Sequence, residues 1–501
     1  MAHFSIGRHR EGAPEGQSLV RRIAIIGGGI SGLSAAFALE DKRQAGTPLE
    51  YVLFESSPRL GGVLVTEHVG ADGDGCLVEA GPDSFLTEKP QAADLARQVG
   101  LGDQLVGSND PDRKTYILVR DRLIVIPDGL MFMVPTRILP TVLSPLFSFR
   151  TKLRMAGEWF HPPHKADADE SVASMVERHY GREVVDRLAD PLLSGVYGGQ
   201  ASQLSVRAVL PRFAEMEAKH GSLGRAMRSA RAEMAKAKKG PAKPLFTSLK
   251  SGMQQLVDAV VSRLPASALR TNAPVQSLQR QTGGWLVSAG YAPDHFEAVI
   301  VATPAPSAGA LLQGVNPRLA SELLGIQYTS SITINLGYDR AVRSSLPPGF
   351  GFLVPRSEGK QILAATFVHN KFPARVPPDR ALLRCFIGGE SNEHMLEFSD
   401  DEILRIVRDE LRQIVGLRAE PQFARVYRWQ RAMAQYGVGH LERLQRIEDS
   451  LRQLPGLALA GNGYRGIGVS DCLRSGMAAA NQVLASVGLA DPAGVPQQVT
   501  G

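Results

Sequence analysis

The sequence predicts an α/β protein built around one strand–turn–helix–strand unit, residues 21–62. Ile23–Ile26 is a wholly apolar run of the kind found in buried parallel strands. A glycine turn follows at once and leads into a predicted helix over Ser31–Leu39. A second predicted strand, Tyr51–Phe54, ends at the acidic residue Glu55. This order of elements is typical of a Rossmann-type dinucleotide-binding domain.

The turn contains Gly27, Gly29 and Gly32 in GxGxxG spacing. The first glycine permits a tight turn, the second lets a pyrophosphate approach the backbone, and the third lets the helix pack on the strand. Ile30 completes the predicted cofactor-binding turn and Ser31 begins the helix, whose free N–H groups and positive dipole end attract phosphate. A glycine-rich turn without a ligand is the alternative for this motif taken alone.

The residues after the second strand indicate which dinucleotide binds. Glu55, with Ser56 beside it, is placed to accept hydrogen bonds from the adenosine ribose hydroxyls. Arg59, Gly61 and Gly62 resemble the RxGG extension of flavoprotein oxidases, in which the arginine approaches the FAD pyrophosphate and the glycines let the backbone approach the cofactor. This resemblance implies non-covalently bound FAD.

The composition is that of a globular protein of two or three domains, with 501 residues, 44% hydrophobic and 21% charged. Cys76, Cys385 and Cys472 form no zinc or CxxC pattern, which predicts a reducing, cytoplasmic compartment and no metal. Residues 1–20 are polar, so we expect a flexible tail and no secretory signal. No apolar run approaches the roughly 18 to 20 residues that span a bilayer, so any membrane contact is expected to be peripheral.

Much of the net charge of +6 lies in residues 219–243. Nucleic-acid binding is one interpretation of this basic segment, but it contains no aromatic residue that could stack on bases. A solvated helix and loop is the other interpretation, and we therefore expect no nucleic-acid partner.

The segment after the cofactor turn, residues 63–86, predicts a hairpin with its turn at Asp72–Gly75. Gly81, Pro82 and Asp83 then form a stiff turn that we expect close to the isoalloxazine ring. The next predicted elements are a helix over Thr87–Gly100, a hairpin over Tyr116–Ile126 and a helix over Asp169–Tyr180, with Asp169 or Ser171 as its N-cap and Gly181 at its end.

Residues 127–160 are apolar but are broken by Pro127, Pro135, Pro140 and Pro145, which excludes one long helix. Basic residues are interspersed, so the segment is expected to cover a pocket for a large apolar ligand, to rest on a membrane surface, or to form an ordinary packed helical cap. Residues 191–205 then bunch several glycines, which indicates a turn or a close approach of the backbone to a neighbour.

Beyond residue 245 the chain is predicted to return to the cofactor domain. A strand over Asn272–Leu278 would bring the Val275 backbone against the adenine, and Ala298–Val301 is a core strand. Residues 305–425 predict a substrate domain on an antiparallel or mixed sheet. Its predicted elements are strands Ser331–Leu336, Gly351–Val354, Gln361–Phe367 and Leu382–Ile387, and a helix capped at Ser399 that runs to Ile414.

The last cofactor signal lies within Leu457–Met477. A short strand leads to Gly461, and Gly468 and Val469 precede Ser470 and Asp471, which are predicted to cap a final helix whose N-terminus faces the flavin. The segment is similar to the C-terminal FAD signature of flavin oxidases.

Taken together, these motifs resemble those of the oxygen-dependent porphyrinogen oxidase family of heme biosynthesis, which comprises the protoporphyrinogen and coproporphyrinogen III oxidases. The resemblance covers residues 21–488 and depends on GGGISGL, ESSPRLGG, EAGPDSFL, PLLSGVYGG, FGFLVP, FIGG, MAQYGVGH and GNGYRGIGVSDCLRSG. It implies that a porphyrinogen loses six electrons through FAD to dioxygen, with hydride taken by the flavin N5. No side chain is therefore expected to be a catalyst, and His179, His369 and His440 are expected to be surface or structural residues.

The family also implies three lobes: a discontinuous Rossmann-type FAD-binding domain, a mixed-sheet substrate domain and an α-helical cap or membrane-associating domain. The expected FAD-binding parts are residues 21–86, 247–303 and 425–488, the substrate parts are 87–113, 205–246 and 304–424, the helical domain is 114–204, and tails occupy 1–20 and 489–501.

By match to the family's pocket motifs, Gly195, Leu353 and Phe386 should lie against the macrocycle. Lys89 is the expected cation for a substrate carboxylate, with Arg113 or Lys114 behind it. A lysine at this position resembles the coproporphyrinogen-type members, whose substrate carries four propionates where protoporphyrinogen carries two, and this favours coproporphyrinogen III. Ordinary core positions and a solvated lysine are the alternatives.

Three other functions remain open on the same fold. They are a flavin amine oxidase, a carotenoid-type desaturase, and a flavin-bearing membrane scaffold without catalysis. Amine oxidases usually carry an acidic residue after the C-terminal Ala-Gly pair, where this chain has Asn462. The expected partners are the porphyrinogen, dioxygen and a peripheral membrane contact, and a homodimer is left open.

Overall fold

The computed structural model describes residues 20–70, 75–131, 133–164, 168–237, 243–290 and 292–489. Nearly all of the two expected tails, and the Asp72–Gly75 turn except for Gly75 itself, lie outside these residues.

A five-stranded parallel sheet forms the centre of the cofactor domain, in the order Leu269–Arg270, Leu49–Phe54, Arg21–Ile26, Ala298–Val301 and Leu457–Leu459. Both faces are covered, as expected for buried parallel strands. Ile23 and Ile25 pack in the core formed with helices Ile30–Gln44 and Val469–Ser486. The first and last helices touch closely, because a Cβ on Gly476 would overlap the Ser31 carbonyl oxygen.

The opposite face of the parallel sheet is covered by a three-stranded antiparallel sheet, Ser277–Gln281, Gly284–Ser288 and Asp294–Phe296. The predicted strand over Asn272–Leu278 is therefore wrong in its first part. Asn272 has a positive φ of 51°, and its N–H donates to the Ser57 carbonyl oxygen at 3.0 Å. The chain at Asn272 is therefore held by the loop after strand Leu49–Phe54, and it enters the antiparallel sheet only at Ser277.

A seven-stranded sheet forms the second domain, in the order Phe423–Ala434, Tyr328–Asp339, Arg380–Gly388, Ala364–Phe367, Gly351–Leu353, Thr115–Val119 and Arg122–Val125. One face packs on helix Asp400–Val415, whose predicted cap at Ser399 is confirmed as a capping box with Glu402. The other face is turned toward the cofactor domain. The hairpin predicted over Tyr116–Ile126 is also confirmed, as the last two strands at one end of this sheet.

The sheet crosses two of the expected domain boundaries. Thr115–Val119 pairs in parallel with Gly351–Leu353, although the boundary at residue 114 assigns it to the helical domain. Strand Phe423–Ala434 pairs along most of its length with Tyr328–Asp339, although the boundary at residue 425 divides it. Backbone pairing holds each strand to the sheet, and a chain segment cannot leave the sheet without losing those hydrogen bonds.

The third domain is helical and contains a short hairpin of strands Leu130–Met131 and Val134–Pro135. The predicted helix start at Ser171 is confirmed, since the Ser171 hydroxyl oxygen accepts a bond from Ser174 N–H at 3.1 Å. Residues 206–237, expected in the substrate domain, pack here through Phe213 and Leu223. The helices are Ile138–Leu143, Phe149–Gly157, Val172–Tyr180, Arg182–Val184, Asp190–Tyr197, Val206–Val209, Pro211–His220 and Leu223–Ala237.

The remaining elements connect these domains. They are strands Thr66–Val69, Cys76–Glu79, Phe85–Leu86, Leu105–Gly107 and Phe246–Leu249, and helices Gln91–Gln98, Gln254–Val261, Ala305–Leu312, Pro317–Leu324, Ala341–Ser345, Val368–Lys371 and His440–Arg452. Among the described helices, none combines the length and the apolar character needed to cross a membrane.

Candidate functional site

The glycine turn has the geometry that its spacing predicts. Gly27 adopts a φ of +106°, and a Cβ on Gly32 would overlap the Gly27 carbonyl oxygen, so the helix packs directly on the turn. By contrast, nothing lies within 4 Å of the point that a Gly29 Cβ would occupy. Gly29 has φ −69° and ψ 177°, which any residue adopts, so the space beside it is what distinguishes this position. This open cradle at the start of helix Ile30–Gln44 fits a pyrophosphate.

The second glycine pair lines the same cradle. Gly61 N–H donates to the Gly28 carbonyl oxygen at 2.8 Å, and a Cβ on Gly62 would stand 3.2 Å from the Gly29 Cα. The Arg59 guanidinium donates to backbone oxygens of its own loop, including that of Gly62. Arg59 therefore braces the loop, and its predicted approach to the pyrophosphate stays a prediction.

Glu55 lies where the second strand meets the glycine turn, as predicted. Its carboxylate accepts bonds from Gly28 N–H at 2.7 Å and Ser57 N–H at 2.8 Å, and the Ser56 hydroxyl donates to it at 3.2 Å. Val275 is half-buried against the core that lies between the parallel sheet and the three-stranded antiparallel sheet. Its N–H makes no hydrogen bond to any described residue. The ribose and adenine contacts of these residues stay predictions.

The last helix differs from its predicted start. It begins at Val469 with Gly468 as the N-cap, in an extended conformation (φ −74°, ψ 160°), and no side chain caps it. The prediction that Ser470 and Asp471 cap this helix is therefore wrong. The Asp471 carboxylate instead pairs with the Lys89 ammonium at 2.6 Å, and the Ser470 hydroxyl donates to the Lys89 carbonyl oxygen at 3.1 Å.

Two buried hydroxyls without partners lie near the C-terminal glycines. The Thr303 hydroxyl follows core strand Ala298–Val301, and the Tyr464 hydroxyl lies within the glycine-rich segment. Neither makes a hydrogen bond to a described residue. A Cβ on Gly461 would stand 3.8 Å from the Thr303 carbonyl oxygen, which leaves ordinary van der Waals room there. Buried polar groups normally have partners, so these atoms indicate a polar ligand beside the strand ends.

The predicted substrate residues lie on the open face of the seven-stranded sheet. Leu353, Ala364, Phe386 and Thr333 are direct neighbours across successive strands and so share one face. A Cβ on Gly195 would stand 3.9 Å from Leu353 Cδ2, so the structure brings Gly195 and Leu353 together. Gly195 is exposed and Leu353 and Phe386 are half-buried, which leaves an apolar wall accessible at this face. Their contact with a macrocycle stays a prediction.

The cofactor segment at residues 79–81 is held against this face by three successive backbone carbonyls. Asn335 donates to the first at 3.2 Å, Trp429 donates to the second at 2.8 Å, and Arg384 donates to the third. The three donors come from three neighbouring strands. The seven-stranded sheet therefore fixes the position of this turn, and the proximity of the turn to the flavin stays a prediction.

A buried cluster of charges lies directly behind this turn. Lys371 Nζ pairs with Asp83 Oδ2 at 2.9 Å, and Arg384 Nη1 lies 3.7 Å from the same oxygen. Arg375 Nη2 pairs with Glu79 Oε1 at 3.1 Å. The Arg384 guanidinium also stacks over the Phe386 ring, 4.8 Å from its centroid. The cluster thus connects the cofactor turn with the predicted substrate wall.

The neighbouring cations stabilise the Asp83 carboxylate, whereas burial lowers the pKa of both Lys371 and Arg384. Burial by itself raises the pKa of Asp83, but the Lys371 ammonium and the Arg384 guanidinium more than offset it and hold that pKa below its usual range. Burial raises the pKa of Glu79, and Arg375 opposes this only in part. Sequence reasoning missed these cations. The available signal was Arg384 itself, a charged residue within an otherwise apolar predicted strand.

The three histidines set aside as surface or structural residues are all buried. His179 lies between the carboxylates of Glu158 and Glu217, at 3.1 and 2.9 Å. Burial lowers the pKa of His369 to about 4, and His440 stacks on Tyr436 with ring centroids 4.1 Å apart. Each is held by structural contacts. Within the described residues, no group of three or more His, Cys, Asp or Glu side chains could hold a metal ion.

Comparisons with known proteins place these features in context. The profile of the family described as flavin containing amine oxidoreductase matches residues 30–484. Coproporphyrinogen III oxidase of Bacillus subtilis (strain 168) is 33% identical over 473 residues, covering 93% of this chain and 98% of that protein. Protoporphyrinogen oxidase 2 of Arabidopsis thaliana is 27% identical over 515 residues and covers 97% of each chain.

The fold is also similar to that of a solved structure over nearly the whole chain. The crystal structure of a candidate protoporphyrinogen oxidase from Exiguobacterium sp. 255-15 superposes with a TM-score of 0.82 at 30% identity. The superposition covers 93% of this chain and 98% of that one.

Proposed function

The chain belongs to the family of flavin-containing amine oxidoreductases, and on this premise we propose that it oxidises a porphyrinogen, preferring coproporphyrinogen III, in heme biosynthesis. FAD is its cofactor and dioxygen is the proposed electron acceptor. The observation that carries the proposal is the likeness, over nearly the whole chain, to proteins named coproporphyrinogen III oxidase. The open cradle beside Gly29 supports it.

The reaction removes six hydrogens from the substrate, so three dioxygen molecules become three molecules of hydrogen peroxide. When bound, FAD supplies two-electron acceptance and the passage of those electrons to dioxygen. The residues of the chain supply binding and orientation. The glycine cradle and the start of helix Ile30–Gln44 hold the pyrophosphate, Arg384 and Asp83 fix the turn beside the flavin, and Leu353 and Phe386 present a flat apolar wall to the macrocycle.

The proposal is tested with purified, FAD-loaded protein and a colourless porphyrinogen under air. We expect porphyrin fluorescence to grow while dioxygen is consumed in a ratio of three to one, and faster for coproporphyrinogen III than for protoporphyrinogen IX. Peroxide release from amines without porphyrin formation would instead identify an amine oxidase, and desaturation of a long polyene would identify a carotenoid-type enzyme. A flavin-loaded protein inactive on all three substrates would support the scaffold alternative.

The aromatic residues near the C-terminal motif do not favour amine oxidation. Tyr197 and Tyr436 lie with ring centroids 6.0 Å apart and planes inclined at 60°, and His440 covers one face of Tyr436. An aromatic cage for an amine needs two open faces directed at the same cation. Asn462, where amine oxidases usually carry an acid, accepts a bond from the Tyr328 hydroxyl at 3.1 Å and is part of the packing.

Lys89 provides a prediction about substrate choice. Lys89→Ala should raise the KM for coproporphyrinogen III about tenfold, because a charge-assisted hydrogen bond contributes about 1.5–3 kcal/mol and this side chain is 40% exposed. The KM for protoporphyrinogen IX should rise less, since that substrate has fewer propionates. Initial rates on both substrates measure the difference.

The control for this prediction is Lys89→Arg, which keeps the positive charge beside Asp471. It should retain most of the preference for coproporphyrinogen III. Equal increases in KM for the two substrates in Lys89→Ala would remove the reason for preferring the four-propionate substrate.

We also propose that the helical domain rests on the cytoplasmic surface of a membrane. Six large apolar side chains between residues 139 and 160 are 48–82% exposed, namely Leu139, Val142, Leu143, Phe149, Leu153 and Phe160. Exposed basic residues, Arg137, Arg150 and Arg154, are interspersed among them. Apolar side chains beside cations suit the interface of an anionic bilayer.

Replacing two of these side chains should weaken membrane binding. Phe149→Ser with Phe160→Ser should reduce co-sedimentation with anionic vesicles at least tenfold, since full burial of each phenylalanine contributes about 1.5–3 kcal/mol. Leu324→Ser is the matched control, because Leu324 is 49% exposed and lies on a helix of another domain. Equal binding by wild type and the double variant would refute the membrane contact.

A further inference from the structure

A cavity of about 490 Å³ lies in the helical domain, apart from the cofactor and substrate residues described above. Its volume falls within the range of about 300–1,000 Å³ that is typical of small-molecule sites. The walls come from helices Phe149–Gly157 and Val172–Tyr180 and from residues 181–187, with Ser357 closing one side. Four arginines line it: Arg150, Arg154, Arg182 and Arg187.

The acidic residues in the cavity wall are already neutralised. Arg182 Nε pairs with Asp186 Oδ1 at 2.8 Å, and Arg187 Nη1 pairs with Glu183 Oε1 at 2.6 Å. Glu183 also accepts bonds from Ser148 N–H at 3.0 Å and the Ser148 hydroxyl at 2.7 Å, so its carboxylate is fully engaged. These two arginines therefore contribute no net charge to the cavity.

The other two arginines leave the cavity positively charged. The Arg150 guanidinium forms no hydrogen bond or ion pair with any residue that the structure describes. Arg154 donates only to backbone carbonyl oxygens, of Glu177 at 2.8 Å and Arg178 at 3.4 Å. Gly181 makes room for the Arg154 stem, which would lie 3.2 Å from a Cβ at that position. Two positive charges are thus available to an anion.

A second observation also indicates a ligand. Tyr180 lines the cavity with 0% of its surface exposed, and its hydroxyl has no hydrogen-bonding partner among the described residues. A buried polar group without a partner costs about 1–3 kcal/mol, so a polar occupant would stabilise this hydroxyl. Ser148, the N-cap of helix Phe149–Gly157, and Thr151 in its first turn also line the cavity, and the N-terminus of this helix already holds the Glu183 carboxylate.

The apolar residues beside the cavity determine what kind of anion fits. Phe149 and Leu153 are 75% and 58% exposed and lie one helical turn apart. Arg150 and Arg154 have the same spacing on the adjacent stripe of the same helix. A ligand that contacts both stripes must carry an anionic group next to a hydrocarbon chain.

We propose that this cavity binds the phosphate head group of an anionic phospholipid, whose acyl chains lie along Phe149 and Leu153. The proposal rests on the membrane contact proposed above and deepens it, since it adds a specific head-group site to a general surface attraction. Guanidinium groups suit phosphate oxygens because they donate two bonds in a fixed geometry.

The test uses the full-length, FAD-loaded protein and soluble lipids, so that it does not depend on a bilayer. Calorimetric titration with dihexanoyl phosphatidylglycerol should show binding at least tenfold tighter than titration with dihexanoyl phosphatidylcholine or inorganic phosphate. Arg150→Ala with Arg154→Ala should lose this preference at least tenfold, and Tyr180→Phe, which removes only the hydroxyl, should weaken it several-fold. Porphyrinogen oxidation should remain at the wild-type rate in the double variant.

The matched control is Arg212→Ala with Lys219→Ala, which removes the same charge from an exposed part of the same domain, on helix Pro211–His220. Unchanged lipid binding in the control supports the cavity as the site. Equal losses in the two double variants would show a general electrostatic effect and overturn the proposal. Inorganic phosphate that binds as tightly as the lipid would overturn the lipid assignment.

The outcomes of the two membrane proposals are distinguishable. If the protein binds soluble phosphatidylglycerol but does not sediment with vesicles, the head-group site is supported and the membrane contact is refuted. If it sediments with anionic vesicles but shows no preference among soluble head groups, the membrane contact is supported and the head-group site is refuted.

Discussion

Gly29→Val should abolish FAD binding while leaving the protein folded. The side chain would occupy the open cradle where the pyrophosphate is expected, and nothing else lies within 4 Å of its Cβ position. Because φ at Gly29 is −69°, valine meets no backbone strain there. We therefore expect at least a hundredfold loss of flavin affinity, measured as the FAD absorbance retained per protein after dialysis, with a normal circular dichroism spectrum.

The matched control is Gly314→Val. Gly314 also has no neighbour within 4 Å of its Cβ position but lies in an exposed loop. It should retain stoichiometric FAD. Gly32→Val gives a second comparison, because its side chain would overlap the Gly27 carbonyl oxygen and should impair the fold as well as the flavin. A Gly29→Val protein that keeps its full flavin content would show that the cofactor lies elsewhere.

Asp83→Asn should cause the second large effect, a loss of about 3–5 kcal/mol in the free energy of unfolding. The substitution removes a largely buried carboxylate and leaves the Lys371 ammonium and the Arg384 guanidinium without their shared partner. Since Arg384 also holds the cofactor turn through Gly81, bound FAD should become less ordered. Chemical denaturation measures the stability, and flavin fluorescence anisotropy measures the order.

Asp379→Asn is the matched control for this prediction. Asp379 pairs with Arg380 at 3.5 Å on the surface, where its side chain is 72% exposed, so its loss should cost at most about 1 kcal/mol. The pH dependence gives an independent check. The folded pKa of Asp83 is lowered, so its stabilising contribution is present above the unfolded pKa of about 4 and is lost as the pH falls further. The difference between wild type and Asp83→Asn should therefore shrink below about pH 4.

Local sequence patterns suffice to predict the glycine turn of the cofactor domain and the capping of individual helices. The glycine spacing at Gly27, Gly29 and Gly32 specifies backbone geometry directly, because each glycine meets a particular neighbour or space. The capping box at Ser399 is equally local. At the last helix the same reasoning failed, since Asp471 pairs with Lys89, a residue far away in sequence, and leaves the cap to Gly468.

The site residues that sequence reasoning missed are those whose partners come from distant segments. Lys371 and Arg384 meet Asp83 only after the seven-stranded-sheet domain has packed on the cofactor turn, and no spacing in the sequence encodes that contact. The expected domain boundaries at residues 114 and 425 cut strands of the seven-stranded sheet for a related reason, because strand pairing joins Thr115 to Gly351 and Phe423 to Gly337, which are far apart in sequence. Local periodicity carries no information about such pairing.

The parallel sheet described above has a consequence for how the protein is made. Its first strand and its glycine turn leave the ribosome early, but strand Leu457–Leu459 and helix Val469–Ser486, which complete the layer, emerge only near the end of synthesis. At about 5–20 residues per second, Val469 is translated roughly 20 to 90 s after Gly29. The cofactor domain is therefore completed late in the life of the nascent chain, and until then the edge of Ala298–Val301 that pairs with Leu457–Leu459 has no strand partner.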